Sequence, residues 1–446
     1  MKSILLFLLL SILLGNCNAQ DFFVKLSIPD YPERELSFCS QFGDKSRIIE
    51  TFRTDKNGYV SFNTTDLEIG VYRVYFDSEV YFDIIINKEN ISLSLLANAP
   101  LESMEVIESI ENRVLYNFLK QNNAINQKLD VLEYFLAKYA KGKLYKRVTK
   151  EYQEVIKEQA YLADNVTAGE KNTFAAGMIQ YYKTPIIPKE VAQNGNENMF
   201  LREKFFTYFP FDDTLLVNSS VYSSAVLNYL KLFAVSGDYG ASVQGFKSAS
   251  ERILNYTRPR EAIFSHVLKI LVDGFESLQL FDIADYLLEN YGSKCVDDDN
   301  LSLRYKNITE LPLQSKAPVV EYIDKAGNIT DSYENKNTII VFWATWCDHC
   351  RQVIPELSEY FETNHSNSIS VVLISLDTDK STLDNFVREN SIDLPVICDY
   401  RGWEGTYVEL FAIYATPFFY VVGPDGAIVS KPHDYNELLN VLKSLK

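Results

Sequence analysis

The residue types best suited to chemistry in this chain are two cysteines two residues apart, in the string Trp346-Cys347-Asp348-His349-Cys350. Such a pair closes as a disulfide and reopens as a dithiol, so it points to thiol-disulfide exchange. The apolar run from Thr338 to Trp343 reads as a buried parallel strand, and Cys347 to Phe361 reads as an amphipathic helix. Cys347 thus opens a helix, where unpaired backbone N–H groups and the positive end of the helix dipole favour an anion. They bring its thiol below the free value of roughly 8.5. Cys350, one turn further in, is placed to attack a mixed disulfide formed at Cys347 and release the reduced partner. A Cys-X-X-Cys is also half of a zinc site, but no second cysteine pair is present and His266 stands alone on its helix. Neither a metal nor a cofactor is expected.

Length and composition bound what can position these residues. At 446 residues the chain is too long for one ordinary core, and about 150 residues per domain suggests roughly three. A net charge of -17 argues against nucleic acid and anionic membrane surfaces as partners, since both call for a basic face. Residues 1–19 combine Lys2, an apolar run from Ile4 to Leu14, and Cys17-Asn18-Ala19, the layout of a secretory signal cleaved near Ala19. A lipid anchor on Cys17 is the weaker alternative, because Asn16 stands where a small residue is expected. The expectation is a protein exported across an inner membrane into the periplasm. Without Cys17 the chain keeps Cys39, Cys295, Cys347, Cys350 and Cys398, an odd number, so at least one thiol is free. Cys39 and Cys398 read as apolar filler, and Cys295 as an exposed thiol without function. Asn-X-Ser/Thr triplets recur, Asn307 among them, but a bacterial envelope fits the chain better than a glycosylating compartment.

The fold class expected is multidomain. From residue 21 to 98, alternating apolar residues between Gly and Asn turns predict short antiparallel strands forming a small β-sandwich. Residues 101–300 show long helical periodicity and read as an all-α domain, its charged stretches being solvated faces. Residues 301–317 read as a linker, and 318–446 as an α/β domain. In that last part strands are expected near Val319–Ile323, Thr338–Trp343, Ser370–Ser375, Leu394–Cys398 and Phe418–Val422. Helices are expected near Cys347–Phe361, Ser381–Glu389, Glu404–Phe411 and Tyr435–Leu445.

Four local features of this last part resemble the thioredoxin superfamily, and within it the TlpA/ResA-like extracytoplasmic thiol:disulfide oxidoreductases. They are Lys316-Ala317-Pro318, the string from Phe342 to Cys350, Pro355 past the second cysteine, and Ala415-Thr416-Pro417-Phe418 ahead of Gly423-Pro424-Asp425-Gly426. The resemblance covers under a third of the chain. It implies a cis Pro417 beside Cys347 and a Thr416 backbone that holds an extended substrate peptide. It also implies a redox-active Cys347–Cys350 disulfide whose side Trp346 shields. His349, if protonated, stabilises the Cys347 thiolate and Asp348 opposes it; beside this stands the reading that both are solvated and nearly cancel. Two departures bear on proton transfer. Val341 stands where many thioredoxins bury an acid, and Val353 where many relatives carry Glu, leaving water, Glu356 or Asp399 to serve Cys350.

The leading expectation is a reductase acting on disulfide-containing envelope proteins and re-reduced by a membrane electron donor. A second reading makes the first 300 residues a binding or assembly module, able to recruit clients or form a homodimer through the helical domain, with an auxiliary redox domain. A thiol peroxidase is disfavoured, because Ile340 and Ala344 occupy the Pro and Thr positions of that motif and Thr345 is one residue out of register.

Overall fold

A computed structural model describes residues 21–445 except 43–44, 140–141, 184, 189, 192–193, 236, 295–297, 324–328, 332–335 and 365–368. The expected signal segment with Cys17, and Cys295, lie outside the described residues. The chain divides into two compact units, one running to Ile270 and the other from Leu271 to Lys446.

The first unit is sheet-rich at its start and helical after it. Its strands are β1 (Phe23–Ser27), β2 (Glu35–Phe42), β3 (Lys45–Arg53), β4 (Tyr59–Asn63), β5 (Gly70–Tyr75), β6 (Tyr81–Ile86), β7 (Ile91–Ser94) and β8 (Glu105–Glu108). They form two four-stranded sheets, in the orders β4-β1-β7-β8 and β3-β2-β5-β6. Alternate apolar side chains of the two sheets meet, with the Phe38 and Phe62 rings 5.0 Å apart. Gly58 makes the turn before β4 at φ +76°, and a Cβ there would fall 1.9 Å from the Ile28 carbonyl oxygen.

The boundary expected between a β domain and an α domain near residue 100 is not a break. Strand β8 lies inside the expected helical stretch, pairing antiparallel with β7. The helix Ile110–Lys138 is then tied to β6 through Asn112, which is fully buried. The Asn112 side chain accepts from Ile85 N at 2.9 Å and donates to Ile85 O at 2.8 Å, replacing a strand neighbour on both backbone groups. Glu111, also buried, accepts from the backbone N–H groups of Phe174 and Ala175. Buried polar side chains with complete partners weld sheet and helices into one unit.

In the second unit β11 (Asn337–Trp343), β12 (Ile369–Ser375), β13 (Val396–Cys398), β14 (Phe418–Val422) and β15 (Ile428–Ser430) build one sheet in the order β13-β12-β11-β14-β15. Strands β11, β12 and β13 are parallel, and β14 and β15 antiparallel to their neighbours. A separate pair, β9 (Glu321–Ile323) and β10 (Ile329–Asp331), precedes them. Ile339 to Trp343 are all fully buried, as befits a strand covered on both faces. Helices Asp348–Thr363, Lys380–Glu389, Thr406–Leu410 and Tyr435–Ser444 follow; the helix expected over Glu404–Phe411 is the shorter Thr406–Leu410, preceded by a 3₁₀ turn at Gly402–Glu404.

The stretch 301–317 is a correction. It contains most of the helix Asp299–Thr309, N-capped by Asp298, and this helix is built into the second unit. Asn307 donates to Phe411 O at 3.1 Å and to the Tyr420 hydroxyl at 2.5 Å, and Lys431 Nζ donates to Asn307 Oδ1 at 2.8 Å. With its side chain thus buried and committed, Asn307 is not a glycan acceptor. No helix among the described residues is long and apolar enough to cross a membrane.

Candidate active site

The register of the parallel strands brings the reactive segment together. Trp343 lies opposite Ser375, and Ser375 opposite Cys398, so the chain leaves β11, β12 and β13 at one common edge. Three crossovers emerge there, and the ends of parallel strands are where α/β folds place their sites.

From β11 the chain passes through a turn, closed by Cys347 N donating to Ala344 O, into the helix Asp348–Thr363. Cys347 is the N-cap of that helix. Its Sγ accepts from Cys350 N at 3.2 Å, the role a Ser or Asp oxygen plays at other helix starts. Cys347 and Cys350 are joined as a disulfide. Cys347 retains 9% exposure and Cys350 none, so of the two residues only the first reaches the surface. The Thr416–Pro417 peptide is cis, and Thr416 O lies 3.5 Å from Cys347 Sγ. Thr416 and Pro417 are half-buried, so this backbone edge is reachable.

Trp346 stands 54% exposed beside Cys347. Its ring is 6.0 Å from that of Trp403, 47% exposed, on the 3₁₀ turn after β13. The two indoles, Leu376, Thr378, Arg401 and Glu404 line a groove of about 440 Å³. Trp343, by contrast, is fully buried core. Asp348 and His349 are both exposed on the first turn of the helix. The carboxylates considered for proton transfer are engaged elsewhere or face another element. Asp399 accepts from the backbone N–H groups of Arg401 and Thr406, ordering its own loop. Glu356 faces Tyr435, whose phenol is pushed up to about 12 by burial first and then by Glu356 and other neighbouring groups. Val341, where an acid is common in thioredoxins, is fully buried core.

Sequence reasoning passed over Asp377. Two residues past β12, it is 2% exposed and accepts from Thr345 N at 3.1 Å, Thr345 Oγ1 at 2.5 Å and Ser375 Oγ at 2.7 Å. Thr345 lies two residues before Cys347. The available signal was the alignment of strand ends: an acid directly after an apolar parallel strand, on the edge that carries the cysteines. Cys398, at the end of β13, has its Sγ 3.3 Å from Asp377 O. Burial is the first cause raising its thiol, and the Asp377 and Asp399 charges add to it.

Residues 313–431 match the AhpC/TSA family. Among curated proteins the chain is similar to thiol-disulfide oxidoreductase ResA of Oceanobacillus iheyensis, 28% identical over 110 residues, covering 25% of this chain and 56% of that protein. ResA of Bacillus subtilis is 22% identical over 115 residues, covering 24% of this chain and 63% of its own length. The chain thus spans little more than half of these relatives. Among solved structures, a thiol-disulfide oxidoreductase from Bacteroides fragilis is 23% identical, covers 30% of this chain and all of its own, and gives a TM-score of 0.27. Residues 313–431 of the second unit are therefore similar to the AhpC/TSA family and, within the same stretch, to the ResA thiol-disulfide oxidoreductases.

Proposed function

We propose that the chain is an extracytoplasmic thiol-disulfide oxidoreductase that reduces disulfides of envelope proteins through Cys347 and Cys350. The observation that carries this reading is the asymmetry of the two sulfurs. Cys347 Sγ caps a helix N-terminus on a residue that keeps some exposure, whereas Cys350 keeps none.

In the forward direction the Cys347 thiolate attacks one sulfur of a client disulfide, held along the Thr416 backbone and against Trp346. A Cys347–client disulfide forms, and the other client sulfur leaves as a thiolate that takes a proton from solvent. The Cys350 thiolate then attacks Cys347 Sγ, closing Cys347–Cys350 and releasing the second client thiol. Two electrons pass to the client, and a dithiol donor in the membrane returns the pair to the reduced state. Cofactors have no part in these steps. A peroxidase fits less well: Ala344 offers no hydroxyl where that chemistry uses threonine, and the Thr345 hydroxyl is committed to Asp377.

The test is Cys350→Ser in the full chain, mixed with a disulfide-bonded client protein. The expected product is a covalent adduct through Cys347 that a reductant dissolves, and Cys347→Ser yields none. Equal adduct formation by both variants defeats the reading.

A further inference from the structure

Asp377 is a buried carboxylate with no place in the exchange steps above, yet it grips the segment that delivers Cys347. Three donors converge on it, the Thr345 N–H, the Thr345 hydroxyl and the Ser375 hydroxyl. Ser375 Oγ in turn accepts from Asp377 N at 3.0 Å. Each of these three groups offers the carboxylate a hydrogen, the arrangement an anion receives. Leu376 N also donates to Trp343 O at 2.8 Å, so the loop after β12 and the loop after β11 are stitched at adjacent levels.

We infer that Asp377 is a positioning residue that also sets the reactivity of Cys347. Its hydrogen bonds fix the Thr345–Trp346 turn and hence the sulfur's aim, and its charge opposes the Cys347 thiolate. The inference rests on the redox reading above. The charge argument follows from distance. A carboxylate oxygen lies 3.1 Å from Thr345 N, and two residues of chain plus the Cys347 side chain reach at most about 11 Å further, so carboxylate and sulfur are within roughly 14 Å. Like charges at that separation, with the effective dielectric of protein sites, repel by the equivalent of about one pKa unit. The helix N-terminus pulls the thiol down and Asp377 pushes it up. A thiol held up in this way leaves the dithiol less prone to ionise and the disulfide less oxidising, which is the direction a reductase needs.

Other charged or titratable groups lie on the segments around the reactive turn. On the redox helix these are Asp348 and His349, after β13 they are Cys398 and Asp399, and at the groove they are Arg401 and Glu404. None of them is altered in the Asp377 variants, so a change in the Cys347 midpoint reports on position 377.

The experiment follows alkylation of Cys347 against pH in the reduced full chain, read on its own peptide by mass spectrometry, for wild type, Asp377→Asn, Asp377→Glu and Thr345→Val. Asp377→Asn keeps an oxygen to accept from Thr345 N and removes the charge. The expected result is about tenfold more thiolate at a given pH below the midpoint, with Cys398 also alkylated faster. Thr345→Val keeps the charge and loses one bond, so its midpoint does not fall, and Asp377→Glu returns toward wild type. A midpoint in Asp377→Asn equal to wild type, or an equal fall in Thr345→Val, overturns the inference. If Asp377→Asn does not fold, wild type labelled with ¹³C at aspartate carboxyl carbons reads the same coupling. The Asp377 signal then moves as Cys347 ionises, and a static signal overturns the inference. Failure of the redox reading shows separately, as a wild-type Cys347–Cys350 pair that does not open and close with the thiol buffer.

Discussion

Asn307→Ala in the full chain tests whether the helix Asp299–Thr309 belongs to the redox unit. Asn307 is 2% exposed, and its amide donates to Phe411 O at 3.1 Å and to the Tyr420 hydroxyl at 2.5 Å. Its Oδ1 receives Lys431 Nζ at 2.8 Å, while its backbone oxygen receives the same ammonium at 2.6 Å. Alanine removes two neutral bonds, each worth about 1 kcal/mol, and one charge-assisted bond worth about 1.5–3 kcal/mol. The groups left behind are not orphaned: Lys431 keeps the Asn307 backbone oxygen, and Tyr420 keeps its own bond to Phe411 O at 2.8 Å. The net cost therefore falls near the lower sum, about 3.5 kcal/mol, which for a unit of this size is roughly 7–14 °C of melting temperature. Because the chain forms two compact units, the readout is amide hydrogen exchange in urea, resolved by peptide, which follows each unit by itself. Peptides from β14 should lose protection in Asn307→Ala while peptides from β2 stay unchanged. A change under about 0.5 kcal/mol in β14 would refute the placement of this helix in the core of the redox unit.

Two further outcomes follow from side chains described above. Burial pushes Lys431 down to about 8 from 10.5, with Asp285 opposing. The unfolded chain then holds more protons between those values, so stability of this unit rises with pH from about 8 to 10.5, by at most ~3 kcal/mol since the Asn307 oxygens favour the ammonium. Denaturant melts of wild type minus Lys431→Met should show this slope, and parallel pH profiles would count against it. Trp403→Ala, which opens the groove beside Trp346, should raise KM for a protein client several-fold with kcat and small-disulfide turnover unchanged. A matching loss on both substrates would show instead that Trp403 supports the fold of the site.

The redox segment was legible because its information is local. A fully buried strand, a turn, a cysteine N-cap and an amphipathic helix lie in one continuous stretch, and each obeys a short-range rule of periodicity or capping. The helix Asp299–Thr309 was not legible for the opposite reason. The face it buries carries Leu301 but also Arg304 and Asn307, so no apolar stripe advertises it. Arg304 is buried only because Asp273 at 2.9 Å and Glu276 at 3.3 Å accompany it, partners from a different helix. Strand β8 was hidden likewise: Glu105-Val-Ile-Glu108 has no buried position to reveal an alternation, and its pairing with β7 alone makes it a strand. Asn112 and Glu111 erased the expected domain boundary through contacts that a linear reading does not weigh. In both helices a polar residue took a buried place because distant groups completed its hydrogen bonds, and hydrophobic periodicity is blind to that.

The same distinction separates the two cysteines from the groups that govern them. Their spacing states that a disulfide can form and which sulfur faces outward, but not how readily the outer one ionises. That balance is struck between a helix N-terminus, which belongs to the local sequence, and a carboxylate thirty residues on, which reaches the turn only through the register of β11 on β12. With Val341 in the core below the site, the acid enters from the side of the reactive turn, held by Thr345 and Ser375, each offering it a hydrogen. A carboxylate so held spends these hydrogen bonds on the turn before Cys347 and on Ser375, not on Cys350. It acts on the site as a fixed charge and an anchor, and Cys350 must exchange its proton by another route, most simply water admitted when a client opens the disulfide.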